Sequence, residues 1–281
     1  AGVAVTAQAR KAWARAVPGG FVPRFETTMY WARGQGGARG GFVPGPVVRP
    51  GFPCPRAAAP RRRPSRPYPD ITHSRQCQYP VPDWDVAYAA TEGRECINPR
   101  PLGQATIFRL LQPHTIGFLT YSEGCNDDVN KAVWSGLGWD PETPVIDILR
   151  DYAGYFIGDR YRDDFAQGLL ALERNWQGPL VANAGVETTL AQFLTMEQQA
   201  TAAELKNWRF QQALYRAYYD AYVRRRLLAE RDTEARAMER LAVSETNATE
   251  KALRDAEVIL DGNDQQAVAA DLRGRIFELA Q

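Results

Sequence analysis

The stretch from Ile116 to Asn130 constrains this chain more than any other. Ile116-Gly-Phe-Leu-Thr-Tyr121 is a short apolar run bounded by Pro113 and Gly124, the pattern of a buried strand. Ser122-Glu-Gly124 breaks it. A helix then restarts, with Asn126 or Asp127 in capping position and Val129, Ala132, Val133 and Leu137 at helical spacing. A strand that ends in an acidic loop and feeds a helix is the local pattern of an α/β fold, in which ligands bind at the carboxyl ends of strands. The loop carries Glu123, Asn126, Asp127 and Asp128.

Composition divides the chain before this stretch is reached. In residues 1–67 roughly a third of positions are Gly or Pro, and about a dozen Arg or Lys face the lone acid Glu26, which argues against a packed core. Ala57-Ala-Ala-Pro-Arg-Arg-Arg-Pro-Ser-Arg66 is a low-complexity basic tract. Three readings stay open: an irregular tail, a basic arm for an acidic partner, and GC-rich DNA read out of frame. From Tyr68 the sequence becomes that of an ordinary globular protein. A net charge of +1 over 281 residues gives no whole-chain pull toward nucleic acid or membrane. No apolar run approaches a bilayer span. The first residues lack a signal peptide's pattern and a starting Met, so the expectation is a cytoplasmic protein, read from a fragment or a processed chain. Cys54, Cys77, Cys96 and Cys125 form no C-x-x-C pair, which disfavours zinc and suits reduced thiols.

The remaining elements are mostly helical. A short helix is expected over 103–112, with Ile107, Leu110 and Leu111 on one face. Trp139-Asp-Pro141 closes the central helix, and Asp140 is placed to cap the next with Pro141 at its first position. That helix has Val145, Ile146, Leu149, Tyr152, Ala153 and Phe156 as its buried stripe. Gly158 ends it, another runs to Trp176, and Gly178-Pro179 stops that one. Further helices are expected over 201–230, 232–242, 245–261 and 264–280, with Asp261-Gly-Asn263 as a stop signal. No strand pattern follows Tyr121. The expected class is mainly α with a small α/β part: an irregular segment 1–67, an α/β part 68–140 and a helical domain 141–281.

Candidate chemistry gathers on the loops. Cleaving an acetal needs one carboxylic acid to protonate the leaving oxygen and a second carboxylate, or a substrate group, to stabilise the cation or activate water. Glu123 with Asp127 and Asp128 are the candidate catalytic set. Against that, Asp127 and Asp128 also suit the first turn of a helix, where the dipole favours acids. Clustered oxygens further admit a Ca2+ site, although the spacing is not that of an EF-hand. Asp70 and His73 converge only if the chain bends between them. Arg94 offers a bidentate fork and Asn98 a donor and an acceptor, next to Glu92 and Glu95. Trp84, between Asp83 and Asp85, is an unspecific stacking surface. The candidate substrate contacts are therefore Asp70, His73, Trp84, Arg94, Asn98 and Asn126. Trp134 and Trp139 read as core, and His114 as structural. The Arg-rich aromatic helix 208–226 reads as a solvated face because acids follow at Glu230, Asp232 and Glu234. Ser122 lacks the first glycine of a nucleophile elbow.

Three segments together resemble the C-terminal part of bacterial glycoside-hydrolase-like proteins of the hexosaminidase and glucuronidase type. They are Pro69-Asp-Ile-Thr-His-Ser74 with Tyr79-Pro-Val-Pro-Asp-Trp-Asp85, Glu92-Gly-Arg-Glu95 with Ile97-Asn-Pro-Arg-Pro101, and Phe118 to Lys131 leading into Leu137-Gly-Trp-Asp-Pro141. The likeness covers roughly residues 68–180. It implies the remnant of a (β/α)8 barrel followed by a helical domain, and a hydrolase using the loop carboxylates on a carbohydrate or other small molecule. Two alternatives accompany it: hydrolysis of small esters or lactones, in which the same acidic loop activates water with or without a divalent cation, and a non-catalytic carbohydrate-binding or interaction fragment.

Overall fold

Apolar side chains recur at three- and four-residue spacing over much of positions 101–280, and the described residues there are mostly helical. The computed structural model describes residues 66–69, 71, 97–122, 124, 126–242, 249–262 and 268–280. Eight α-helices follow one another among them: α1 (Pro101–Leu111), α2 (Asp128–Trp139), α3 (Val145–Phe156), α4 (Arg162–Arg174), α5 (Gly185–Gln199), α6 (Trp208–Ala242), α7 (Thr249–Asp261) and α8 (Ala270–Ala280). Single 3-10 turns precede α4 and α6 and follow α1. No described helix is long and apolar enough to cross a membrane.

Several expected boundaries move. Asp140 does not start α3. Its carboxylate accepts the N–H of Glu142 and closes a turn, and the helix begins only after Pro144. The two helices expected on either side of residue 231 are one. Residues 208–242 contain neither Pro nor Gly, so α6 runs 35 residues unbroken. The break between α3 and α4 falls where expected. Gly158 adopts φ 140°, a region open to glycine, and its N–H and that of Ile157 both bond the carbonyl of Ala153.

One core joins these elements. It extends from Ile71 and Ile97 through Trp134, Leu149, Phe165, Phe193 and Phe210 to Leu272 and Ile276, without a break at residue 140. Consecutive helices pack as neighbours from α1 to α4 and on to α5, while α6 packs against α5, α7 and α8. Small residues allow close approach: a Cβ on Gly168 of α4 would lie 2.8 Å from the ring of Phe193 on α5.

At the centre of this core sits a charged pair. Arg216 and Asp220, one turn apart on α6, are 1% and 0% exposed. The Arg216 Nε donates to Asp220 Oδ1 at 2.7 Å, and another guanidinium nitrogen donates to the Ile97 carbonyl at 2.8 Å. Asp220 also accepts from Asn175 Nδ2 and Trp176 Nε1, both at 2.8 Å, and Asn175 in turn accepts from Thr189 Oγ1 on α5. Ions this deep are tolerated only when hydrogen-bonded in full, and these are. The network ties the end of α4, α5, α6 and the extended segment at Ile97 into one unit. Arg216→Met strands the Asp220 carboxylate without its cation. The expected loss is about 3–5 kcal/mol of unfolding free energy, read from urea titration.

Candidate functional site

The site is built from three non-helical segments laid on the first turn of α2. Residues 67–71 and 119–121 pair through their backbones. The N–H of Leu119 donates to the Pro67 carbonyl at 3.0 Å and that of Tyr121 to Pro69 at 3.1 Å, and the N–H of Ile71 reaches Tyr121 at 3.5 Å. Partner numbers rise together, so the segments run parallel. The ladder is short because Pro69 has no N–H to return to Leu119, and it does not reach the length of a regular strand. Its inner face is Pro67, Pro69 and Ile71, all buried, with the Phe118 ring on the other segment. Phe118 packs on Phe108 and Trp134 at centroid distances of 5.8 and 5.0 Å. Gly138 makes room for it, since a Cβ there would meet the ring at 2.7 Å.

Asn130, on the buried side of α2, clamps the ends of these segments. Its Nδ2 donates to the carbonyls of Ile71 and Asn98, and its Oδ1 accepts the N–H of Arg100, each at 2.9 Å. An asparagine offers two donors and an acceptor on one short side chain, and no aliphatic residue could replace that. The N–H of Asn98 also bonds the Asn126 carbonyl at 3.0 Å. Ile71, Asn98 and the loop entering α2 therefore converge on one place, at the carboxyl end of both paired segments.

Asp127 and Asp128 stand there with framework partners. Asp127 is the N-cap position of α2 but its side chain makes no capping bond. The carboxylate is fully buried, accepts from Ser122 Oγ at 2.9 Å and lies 3.0 Å from Lys131 Nζ. Lys131 also donates to the Gly124 carbonyl, closing the loop. Asp128 accepts from the Tyr152 hydroxyl at 2.9 Å and from Arg209 Nε at 2.7 Å. Arg209 lies over the rings of Phe156 and Trp208 at 3.8 and 4.1 Å, an arrangement that adds cation–π attraction to the ion pair. Burial first, and the Asp128 charge second, push the Tyr152 phenol well above its ordinary value, so it remains a donor.

Beneath the site, Glu173 of α4 caps α1 from a distance. Its oxygens accept the N–H groups of Leu102 and Gly103, both at 2.8 Å, two of the donors a helix start leaves unpaired. Burial pushes its carboxyl above the usual glutamate range, while those two N–H groups and then Arg100 pull the other way.

Of the residues singled out from the sequence, Asn98, Asn126, Asp127 and Asp128 meet at this corner. Glu123, Asp70, His73, Trp84 and Arg94 lie outside the described residues. Trp134 is core, its Nε1 donating to Gln104, whereas Trp139 is 43% exposed. Arg224 and Arg225 pair with Glu187, and Arg226 with Glu230. Arg209, Asn130 and Glu173 carried no sequence signal, because their partners lie 81, 30 to 59, and 70 to 71 residues away. Among the described residues no three His, Cys, Asp or Glu side chains gather as a metal-binding set. The chain matches no protein-family model, and comparison with curated proteins and with solved structures gives no match either.

Asn130→Ala removes the bonds to the Arg100 N–H and to the carbonyls of Ile71 and Asn98 in the core. It should cost about 2–4 kcal/mol of stability, measured by urea titration. A second expectation concerns pH. A carboxyl raised by folding contributes stability that is complete below the unfolded glutamate value and is lost as pH rises through the folded one. Wild type should therefore gain stability relative to Glu173→Gln as pH is lowered from 7 toward about 4, where unfolded glutamate titrates. Urea midpoints of the two proteins across that range test it.

Proposed function

We propose that this chain carries part of the active site of a hydrolase related to glycoside hydrolases, at the carboxyl ends of its two parallel segments. One observation carries the reading. Segments 67–71 and 119–121 run in the same direction, and Asn98 and the loop into α2 meet at their shared end. That is where α/β folds collect ligand-binding and catalytic groups. It accords with the (β/α)8 remnant that the sequence resembles.

The reading assigns different work to the three carboxylates. Asp127 and Asp128 set the loop, through Ser122 and Lys131 on one side and Tyr152 and Arg209 on the other. Neither is left to exchange a proton with substrate. Glu123, two residues beyond Tyr121 in the sequence, takes the role of acid. Asn98 and Asn126 hold the neighbouring backbone. Such a carboxylic acid protonates the leaving oxygen as the bond to the anomeric carbon breaks, and water or a neighbouring substrate group takes the vacated position on that carbon.

The same engagement of Asp127 and Asp128 favours a second reading, a non-catalytic carbohydrate-binding or interaction fragment. A panel of chromogenic glycosides and esters, assayed with and without chelator, separates the two. Glycoside turnover that falls about a hundredfold or more in Glu123→Gln, with unchanged urea stability, is the expected result. Ester turnover lost to chelator would replace this with the metal-assisted reading. Thermal stabilisation by sugars without turnover would replace it with the binding fragment.

A further inference from the structure

The paired segments leave a strand edge open. In an extended segment successive N–H and C=O groups point to opposite sides. Leu119 and Tyr121 face residues 67–71, so Phe118 and Thr120 face away. Among the described residues their backbone N–H and C=O groups have no hydrogen-bond partner. The outer face beside this edge is apolar and exposed: Tyr68, Leu119 and Tyr121 are 58, 50 and 37% exposed, and Ile116, at the bend that starts the segment, is 65% exposed. Protein edges of this kind are normally blunted by a lysine, a proline or a bulge. Thr115-Ile-Gly-Phe-Leu-Thr-Tyr-Ser122 contains no charged residue and no proline.

We propose that this edge is an interface between two copies of the chain, which pair antiparallel through residues 116–121. An unpaired row of backbone donors and acceptors specifies another strand edge rather than a helix face. The chain itself supplies one, and the absence of charge lets two copies meet without repulsion. A two-fold axis at Leu119 fixes the register. Phe118 exchanges both backbone bonds with Thr120 of the partner subunit, and Thr120 does the same with Phe118 of the partner subunit, giving four bonds. The two Leu119 side chains face each other as a non-hydrogen-bonded pair, where Cα atoms approach to about 4.5 Å. Tyr121 falls opposite Gly117 of the partner subunit, and its ring covers a position with no side chain. The axis leaves the carboxyl ends of the two parallel pairs pointing apart, so the candidate site stays open. The interface does not depend on the hydrolase reading.

The experiment uses the full chain. Light scattering coupled to size exclusion, over a dilution series, should show mass rising from monomer to dimer with concentration. Thr120→Pro removes one donor from each copy and should weaken the dimer about tenfold or more. Leu119→Lys sets like charges face to face on the axis and should abolish it. Both substitutions are on exposed or half-buried positions, and circular dichroism confirms that each variant folds. Leu119→Cys should form a 119-to-119 disulfide under mild oxidation, identified by peptide mass so that the four native cysteines do not confuse the result. A monomer at every concentration overturns the proposal. So does a dimer that survives both Thr120→Pro and Leu119→Lys, or oxidation that never links the two 119 positions.

Discussion

A carboxylate sealed in the core sets the terms for the rest of this molecule. Asp220 holds its charge away from water, and the surrounding groups are arranged to satisfy it: a guanidinium one turn earlier, an indole, and an amide fixed by a threonine hydroxyl. Because Arg216 also holds the Ile97 carbonyl, the same pair that knits α4, α5 and α6 together fixes the extended segment beside the candidate site. Packing alone would bring these helices together. It would not fix where residues 97–100 lie against them, and within that segment the Asn98 N–H bonds the Asn126 carbonyl.

A second polar tie, Asn130, works at shorter range and with no net charge. It collects two carbonyls and one N–H from segments that have no helix of their own. The two devices divide the labour: the ion pair joins the extended segment to the helical layers, and the amide joins it to the paired segments. Asp127 and Asp128 extend this framework outward, Asp127 paired with Lys131 one turn along α2 and Asp128 with Arg209 on α6. Charge in this corner is balanced locally, which suits a rigid loop.

Helix positions were legible where an apolar stripe recurred. Val129, Val133 and Leu137 on α2, and Leu149, Tyr152 and Ala153 on α3, are buried as their spacing implies. Boundaries were less so. Asp140-Pro141 has the composition of a helix start, yet its carboxylate is spent on a turn. A boundary was expected at residue 231, but nothing there interrupts a helix, since 208–242 contains neither Pro nor Gly. The apolar run 116–121 has the pattern of a buried strand, yet Ile116 and Leu119 are 65 and 50% exposed and the run pairs only over 119–121, because the prolines in 67–71 withhold the donors a longer ladder needs. The site's fixing residues were out of reach: nothing local marks Arg209 as the partner of Asp128 or Asn130 as a clamp, because those bonds exist only once distant segments have met.

The length of α6 has a mechanical consequence. At 1.5 Å per residue it is a rod of about 52 Å, and its surroundings differ along it. From Phe210 to Ala221 it is seated in the core around the ion pair, but beyond that its only buried residues are Thr233 and Ala237. Cohesion therefore falls from one end to the other. Thermal fraying would begin near Ala242 and travel inward, and the Arg216 turn would be the last to let go, so that the outer part could exchange partners or loosen while the corner beside Asp128 keeps its shape.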